Sequence, residues 1–366
     1  MKILIASDSF KGSISSLNIG KALESGIKET RSQTVIEIIS VADGGEGSLE
    51  AINNAIQGDE VKQFVKDPFW RTITASYLRK GDKAYIEMAA ASGLHLVKPS
   101  QLNPEYTTSY GTGQQLKHAV KNGAKEVYLF VGGTATNDGG IGMAQTLGYQ
   151  FLDENDEMVM TTGEGLNQIR KIIPPIEKLH FKLNIVCDVT NPMFGLTGAA
   201  HVFAGQKGAD AEGILRLDAG LRNLSNMIKT DLGKDVSTIS GGGAAGGAAA
   251  GMTAFFNAEI LPGTETIMEL IGLVENMADA DIVITGEGKL DGQTLSGKLI
   301  SGLAAKAKVP VIAVCGINEL STEQLHTLGV TKVYSLVDEQ VSREFAMNHT
   351  AELLTNIGRK IAEDYL

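Results

Sequence analysis

The chain has 366 residues, 43% of them hydrophobic, and a formal net charge of −11 at pH 7. This length allows two domains with buried cores, and the acidic balance argues against nucleic acid as the main partner. No apolar run approaches the roughly 18–20 residues that span a bilayer, and the first residues show no signal-peptide pattern. Cys187 and Cys315 lie far apart in apolar runs, which favours a reducing compartment. We therefore expect a cytoplasmic protein, a monomer or homodimer, without nucleic-acid or membrane partners.

The first sixty residues alternate between strand-like and helical segments. Apolar residues at helical spacing predict the helices, and short β-branched runs predict the strands. In chain order, we expect a strand at 2–7, a helix at 15–29, a strand at 35–41 and a helix at 47–56.

The middle of the chain has a different pattern. Strand-like runs joined by short turns predict an antiparallel or mixed sheet, with a hairpin turn at 80–82. The expected strands are 61–69, 72–78, 83–90, 126–132 and 183–188, and the expected helices lie near 113–122, 139–148 and 211–230.

The end of the chain returns to alternating buried strands and helices, which is typical of a parallel sheet covered on both faces. The expected strands are 281–286, 310–316 and 332–337, and the helices are 295–307, 321–328 and 343–363. We predict an α/β protein of two domains, in which a flavodoxin-like, doubly wound parallel-sheet domain (1–60 plus 281–366) carries an inserted mixed-sheet α/β domain (61–280).

Glycine is over-represented, with 43 residues, about 12% against about 7% in average proteins. The glycines cluster beside hydrophobic runs, an arrangement that brings backbone amides close to a ligand. The clusters lie at 41–48, 131–143, 241–252 and 285–292. Because local potential matters more than net charge, an acidic chain with such loops and a few lysines can still bind an anion.

The stretch VITGEGKLDGQTLSGKL (283–299) resembles a phosphate-binding P-loop, because Gly292 to Lys298 reads G-x-x-x-x-G-K. The next residue is Leu299, where a P-loop needs Ser or Thr for magnesium. The preceding strand is also expected to end at about Thr285, too early for this motif. We interpret the match as chance, although acids for a metal and cations for phosphate remain: Glu287, Lys289, Asp291 and Lys298.

Two loops that follow strands near the N-terminus carry charged candidates. Asp8 and Lys11 in DSFKGS suit a small polyol or acid, although a helix cap with ordinary turn polarity explains the same residues. Asp43 and Glu46 flank a glycine pair in ADGGEG, where a capped turn explains the glycines but not both acids. Bound cations and hydroxylated substrates favour such a pair.

The most specific stretch is GGTATNDGG (132–140), between an expected strand and helix. Small polar residues bracketed by glycine pairs expose many backbone amides, as a phosphate or carboxylate cradle requires. Its candidate ligand-binding residues are Gly132, Gly133, Thr134, Thr136, Asn137 and Asp138.

Three further features remain open between a functional and a structural interpretation. Asp188, at a strand end, is either a metal ligand or general base or part of an Asx turn before Pro192. Lys207, between glycines, is either a phosphate contact or a loop lysine. The cluster 241–251 suits close helix packing as well as a nucleotide loop. Zinc, serine-hydrolase and protein-kinase motifs are not found.

Taken together, the ordered motifs DSFKGS, VADGGEG, EMAAASGL, GGTATNDGG, CDVTNP, GQKGA and TGEGKLDGQTLSGK resemble those of the type 1 glycerate kinases. The resemblance covers essentially the whole chain. It implies a flavodoxin-like domain with an inserted α/β domain. It also implies transfer of the γ-phosphoryl group of ATP to D-glycerate, with Mg²⁺, the family being generally associated with the 2-phosphoglycerate product. A kinase for a related hydroxy acid or polyol, the 3-phosphoglycerate product, and a ligand sensor without chemistry are the alternatives.

Phosphoryl transfer needs positioning, charge neutralisation and a carboxylate near the attacking hydroxyl. As candidate catalytic residues we therefore take Asp8, Lys11, Asp43, Asp138 and Asp188, with Lys11 or a nearby amide holding the glycerate carboxylate. Asp188 and Asp291 are the candidate metal ligands. The candidate ATP-binding residues are Gly132, Gly133, Thr134, Asn137, Lys207, Glu287 and Lys289, with Lys207 and Lys289 neutralising phosphate oxygens.

Overall fold

The structure, a computed structural model, describes residues 1–42, 47–177, 179–292, 294–296, 299–338 and 340–366. Asp43, Glu46 and Lys298, candidates from the sequence, lie outside the described residues. The chain forms two compact units. Unit 1 contains Met1–Asp43, Glu50–Gln57 and Thr264–Leu366, and unit 2 contains Gly44–Leu49 and Gly58–Gly263. Within the described part of the chain, every helix is too short or too polar to cross a membrane.

The described part of unit 1 contains five strands and eight α-helices. The strands are β1 (Lys2–Ser7), β2 (Val35–Ile38), β11 (Ile282–Leu290), β12 (Val311–Asn318) and β13 (Lys332–Ser335). The principal helices are α1 (Ser16–Thr30), α2 (Ser48–Ile56), α10 (Leu299–Lys306), α11 (Thr322–Thr327), α12 (Arg343–Asn348) and α13 (Thr350–Tyr365), with α9 (Leu273–Ala278). Helix α8 (Gly263–Leu270) begins at the last residue of unit 2, and a short 3₁₀ turn spans Thr294–Ser296.

The residues that the structure describes in unit 2 form eight strands and five α-helices, besides short 3₁₀ and π segments. The strands are β3 (Asp59–Lys66), β4 (Thr72–Lys80), β5 (Lys83–Glu87), β6 (Glu126–Phe130), β7 (Gln150–Leu152), β8 (Lys171–Ile173), β9 (Lys182–Val186) and β10 (Glu259–Leu261). The helices are α3 (Ala89–Ser92), α4 (Tyr110–Lys121), α5 (Ile141–Thr146), α6 (Ala211–Leu232) and α7 (Ala244–Phe256).

The sheet of unit 1 is entirely parallel, in the order β2-β1-β11-β12-β13. Counted within the unit, this is the order 2-1-3-4-5 of flavodoxin-like folds, whose ligands bind beyond the carboxyl ends of the strands. The central strands are continuous apolar runs; Ile3, Leu4 and Ile5 on β1 are at most 1% exposed. A strand buried on both faces needs such a run, because each face packs against helices.

Helices α1 and α13 cover one face of this sheet and touch each other closely. Ser15 is the N-cap residue of helix α1, and its hydroxyl accepts a hydrogen bond from the Asn18 N–H. Its apolar stripe buries Ile19, Leu23 and Ile27. A methyl group on Gly26 would lie 1.9 Å from the backbone oxygen of Thr355 in α13, so only glycine permits this approach.

Unit 2 has a six-stranded mixed sheet in the order β10-β9-β6-β5-β4-β3. The three pairs from β10 to β5 are parallel, and β4 pairs antiparallel with both β5 and β3. A two-stranded antiparallel sheet, β7-β8, lies apart from it. These sheets, with the parallel sheet of unit 1, confirm the predicted α/β class and the predicted mixed sheet.

The structure corrects three boundaries predicted from the sequence. Strand β11 does not end near Thr285 but continues to Leu290, because β12 extends alongside it and pairs Glu287 with Cys315 and Lys289 with Ile317. The predicted helix 343–363 is two helices, α12 and α13, separated at His349. The predicted helix 295–307 begins only at Leu299.

The predicted domain boundaries, 1–60 plus 281–366 and 61–280, stay a prediction. The two compact units differ from them mainly in residues 264–280, which the structure groups with unit 1.

Candidate functional site

Candidate residues occur in both units, and each set is described within its own unit. In unit 2 most of them lie in the 132–140 loop, which follows the central strand β6 and precedes α5, and Asp188 and Lys207 lie elsewhere in the unit. In unit 1 they lie on β1, β11 and the residues that follow them. Most candidate residues of each unit thus lie at the carboxyl ends of parallel strands. This is the position at which α/β sheets bind ligands.

A neighbouring segment holds the first half of the 132–140 loop in place. The N–H of Leu94 donates to the Gly133 oxygen at 2.9 Å, and the N–H of Ala135 donates to the Ser92 oxygen at 2.9 Å. The Thr107 hydroxyl donates to the Ala135 oxygen, also at 2.9 Å. The loop backbone is thereby fixed on both sides, as a preorganised binding loop requires.

Asp138 anchors the second half of the same loop. Its side chain is fully buried, and one oxygen accepts hydrogen bonds from the Ser109 N–H and hydroxyl, both at 2.7 Å, and from the Gly142 N–H at 3.3 Å. The other oxygen accepts from the Gly140 N–H at 3.1 Å. Burial raises the pKa of Asp138, and these four donors act in the opposite direction.

The glycine cluster 241–251 lies directly against this loop. Residues Ala245, Gly246 and Gly247 take left-handed conformations before α7 continues as a regular helix. A methyl group on Gly246 would lie 2.3 Å from the Thr136 oxygen and 2.4 Å from the Asn137 Cα. The cluster therefore supports the loop by close packing, one of the two interpretations left open by the sequence.

Lys207 points into the loop from the segment before α6. Its side chain is buried, 3% exposed, and its ammonium group donates to the Thr136 oxygen at 2.6 Å and to the Thr134 hydroxyl at 3.4 Å. Burial lowers the pKa of Lys207 to about 8, and the nearby Asp138 carboxylate acts in the opposite direction. Among the described residues no third acceptor binds the ammonium group, which leaves one N–H for a ligand.

Asn137 is the most unusual side chain of the loop. It is fully buried, and neither its amide oxygen nor its amide nitrogen has a hydrogen-bond partner among the described residues. The hydroxyl of Thr136 is likewise unpartnered. An unsatisfied buried polar group costs about 1–3 kcal/mol, so three such atoms beside a buried ammonium group indicate a place for a polar ligand.

The remaining candidate residues of unit 2 are Asp188, Gly132 and Gly133, and they are less buried than the other candidates. Asp188 is exposed, follows β9, and accepts a hydrogen bond from the Gly263 N–H at 2.7 Å. Gly132 is half-buried and Gly133 is exposed. The structure thus brings Thr134, Asn137, Asp138 and Lys207 together.

In unit 1, Asp8 follows β1, and its carboxylate accepts a hydrogen bond from the Ser9 N–H at 2.7 Å. Glu287 on β11 is nearly buried and accepts a hydrogen bond from the Thr294 hydroxyl. The ammonium group of Lys289 lies 2.9 Å from Glu319 and 3.5 Å from Asp291. The carboxylates of Glu287 and Asp291 lie at the end of one strand. Such oxygen ligands suit Mg²⁺, which proteins commonly hold through one or two carboxylates together with the phosphate oxygens of a substrate.

Among the residues that the structure describes, no group of three or more His, Cys, Asp or Glu side chains is arranged to hold a metal ion.

Lys11 and Lys289 line a single cavity of about 310 Å³ in unit 1. We call it the unit 1 pocket. It opens over the carboxyl ends of the strands and also contains Arg343, from the first turn of α12, and Phe10. Neither residue was predicted from the sequence as part of a site. Arg343 lies 45 residues after Lys298 and carries no motif. Ser109, also missed, directly precedes the observed helix α4, which begins earlier than the predicted helix near 113–122.

The fold and these loops define an α/β protein with preorganised, cation-bearing sites for small anionic ligands. Comparison with known proteins gives the family. A sequence model of the glycerate kinase family matches residues 3–366. The chain belongs to the glycerate kinase family, which confirms the resemblance seen in the motifs.

Individual relatives cover nearly the whole chain. The glycerate kinase of Halalkalibacterium halodurans is 42% identical over 98% of this chain and 97% of its own. The glycerate 2-kinase of Escherichia coli is 38% identical over 99% and 97%, respectively. A crystal structure assigned to glycerate kinase 2 of Salmonella typhimurium LT2 has a TM-score of 0.85 and 38% identity, covering 100% of this chain and 98% of that one.

Proposed function

We propose that the protein is an ATP-dependent glycerate kinase that forms 2-phosphoglycerate and ADP in the cytoplasm. The family supplies the class of reaction, phosphorylation of glycerate by an enzyme, and this confirms the activity predicted from the sequence. The ATP donor, the 2-hydroxyl as acceptor and the cytoplasmic location are our own assignments. The free thiols Cys187 and Cys315 support the location.

One observation carries the assignment of the site: the unpartnered, buried amide of Asn137 follows directly in the chain after Thr136, whose backbone oxygen accepts a hydrogen bond from the buried ammonium group of Lys207. An amide nitrogen donates and an amide oxygen accepts, so this side chain matches a ligand with an anionic oxygen and a hydroxyl hydrogen. Glycerate offers both, and a phosphoryl oxygen also accepts from the amide nitrogen. The ammonium group adds a charge-assisted hydrogen bond, which is roughly twice as strong as a neutral one.

The residues of this chain then have distinct roles. Lys207 and the amides of the 132–140 loop stabilise the charge on the phosphoryl oxygens, since phosphoryl transfer depends mainly on positioning and electrostatics. Asp138 accepts four protein hydrogen bonds, so we assign it to holding the loop in position. Asp8 and the exposed Asp188 remain candidates to orient the hydroxyl group of the substrate or accept its proton.

The charged residues of unit 1 are proposed to act on the nucleotide. Lys289 and Lys11 line one pocket, so both are assigned to anionic groups of a ligand there. Glu287 and Asp291 would hold Mg²⁺ in unit 1. Within unit 2, Asp188 stays a candidate metal ligand or general base by itself. When bound to the triphosphate, Mg²⁺ neutralises charge between the phosphates.

A coupled assay with purified protein, ATP, Mg²⁺ and D-glycerate tests the proposal. ADP release is followed directly, and the product is offered to enolase with and without phosphoglycerate mutase. We expect a signal with enolase alone, because enolase accepts 2-phosphoglycerate. A signal only with mutase would give the 3-hydroxyl as acceptor, and no ADP release with glycerate would refute the assignment and direct the search to related hydroxy acids and polyols.

A pair of variants shows that the measured activity belongs to this site. Asn137→Asp replaces the amide nitrogen by an oxygen and adds a negative charge, and we expect turnover to fall by about a hundredfold or more. Asn122→Asp makes the same change at an exposed position at the end of α4 and should leave turnover unchanged. Equal activity in both variants would remove Asn137 from the site.

A further inference from the structure

The unit 1 pocket has a composition that glycerate does not explain. Its walls include Phe10 and Leu336, each 4% exposed, and the half-buried Ile317 and Val337. A three-carbon hydroxy acid is polar over its whole surface and has no apolar face to place against such walls. A ligand that covers them gains roughly 25 cal/mol for each Å² of apolar surface removed from water.

The same pocket is rich in cationic side chains. Lys11, Lys289 and Arg343 line it, and the acid among its lining residues, Glu319, is already paired with Lys289 at 2.9 Å. Arg343 has no side-chain hydrogen bond or ion pair among the residues that the structure describes. A guanidinium group without a carboxylate partner, on the rim of a cavity, is suited to bind phosphate oxygens through two parallel N–H groups.

The position of the pocket in the sheet agrees with this composition. It lies beyond the carboxyl ends of four neighbouring strands: Phe10 and Lys11 follow β1, Lys289 lies near the end of β11, Ile317 near the end of β12, and Val337 follows β13. The sheet order reverses at β1, so the pocket adjoins the switch point at which doubly wound sheets bind nucleotides.

We propose that the unit 1 pocket binds the adenosine diphosphate part of ATP, with the base against the apolar walls and Arg343 on a phosphate. The volume of about 310 Å³ is at the lower end of the roughly 300–1,000 Å³ of ligand pockets and suits a nucleoside with its phosphates reaching the rim. The inference rests on the proposed function, because it names the site within unit 1 that holds the phosphoryl donor. Arg343 and Ile317 thereby become nucleotide-binding residues.

Two substitutions separate the phosphate contact from the base contact. Arg343→Ala should weaken binding of ADP by about tenfold, as expected for one charge-assisted hydrogen bond, and change binding of adenosine little. Arg343→Lys keeps a charge and should retain part of the affinity. Ile317→Trp fills the apolar part of the cavity and should weaken ADP and adenosine alike. Arg31→Ala, an exposed arginine at the end of α1, is the matched control and should bind both as the wild type does.

The affinities are measured by isothermal titration calorimetry on the full chain, with folding checked by circular dichroism. Steady-state kinetics complete the test: Arg343→Ala should raise KM for ATP by about tenfold and leave KM for D-glycerate unchanged. If Arg343→Ala leaves ADP affinity unchanged, or raises KM for glycerate instead, the pocket does not hold the nucleotide, although the kinase activity itself stands. If wild-type protein neither binds ADP nor turns over glycerate, the proposed function fails as well.

Discussion

The substitution Lys207→Met tests whether the buried ammonium group of Lys207 destabilises the free protein. The pKa of Lys207 is lowered from 10.5 to about 8 because its side chain is buried. Between these two pH values the unfolded chain binds more protons than the folded protein, so folding becomes more favourable as pH rises. From these values, the ammonium group costs about 3 kcal/mol of stability at about pH 7 and about 1 kcal/mol at about pH 9.5.

The variant Lys207→Met removes this titration but keeps an unbranched side chain of similar length. We expect the stability of the wild type, relative to the variant, to rise by about 2 kcal/mol between about pH 7 and about pH 9.5. Urea unfolding curves of the wild type and Lys207→Met at several pH values give the free energies. A difference between wild type and Lys207→Met that stays constant with pH would refute the claim that burial depresses this pKa.

Two other substitutions probe how the 132–140 loop is held. Gly246→Ala places a methyl group 2.3 Å from the Thr136 oxygen at a φ of +68°, and should lower the free energy of unfolding by about 2–4 kcal/mol. Gly233→Ala has a similar φ of +67° in open space and should cost about 1 kcal/mol, so equal losses in urea unfolding would show that packing contributes nothing. Asp138→Asn turns one acceptor into a donor that faces the Gly140 N–H, and should lower both unfolding free energy, by about 2–3 kcal/mol, and turnover. Wild-type stability in that variant would show that the four hydrogen bonds do not hold the loop.

Much of the fold follows from the sequence, because buried parallel strands are largely uniform apolar runs. The β-branched and aliphatic residues of β1 and β12 identify these strands without any tertiary information. Strand β11 is the exception: Glu287 and Lys289 look like loop residues, and only pairing with the extended β12 makes them part of the sheet. The local sequence around Glu287 and Lys289 gives no information about this pairing with β12.

Only those parts of the site that have a local sequence pattern were predictable. Glycine pairs around Asn137 mark a loop that exposes backbone amides, and this signal is local. The contribution of Gly246 depends on packing against a loop more than a hundred residues earlier, and Arg343 reaches the unit 1 pocket through the topology of the sheet. Residues whose role arises from tertiary contacts of this kind carry no local pattern. The sequence therefore left the role of Gly246 ambiguous and did not indicate Arg343.

The lowered pKa of Lys207 also determines how ligand binding and proton binding are linked. In the free protein at about pH 9, a pKa of about 8 leaves about nine-tenths of the lysine neutral. An anion that contacts this side chain favours the ammonium form, so its binding should take up at most about nine-tenths of a proton at that pH and almost none at about pH 6.5. Titration calorimetry in two buffers of different ionisation enthalpy measures this uptake.

The same measurement identifies which ligand lies at the lysine, because D-glycerate and ADP can be titrated separately. We expect proton uptake with the ligand that contacts Lys207, and its loss in Lys207→Met, since methionine has no proton to gain. Uptake with D-glycerate alone would place the carboxylate of the acceptor there, whereas uptake with ADP alone would place a nucleotide phosphate. If neither ligand takes up a proton at about pH 9, or the variant behaves like the wild type, no anion contacts this ammonium group. The assignment of Lys207 to the phosphoryl oxygens would then be wrong, even if the protein phosphorylates glycerate.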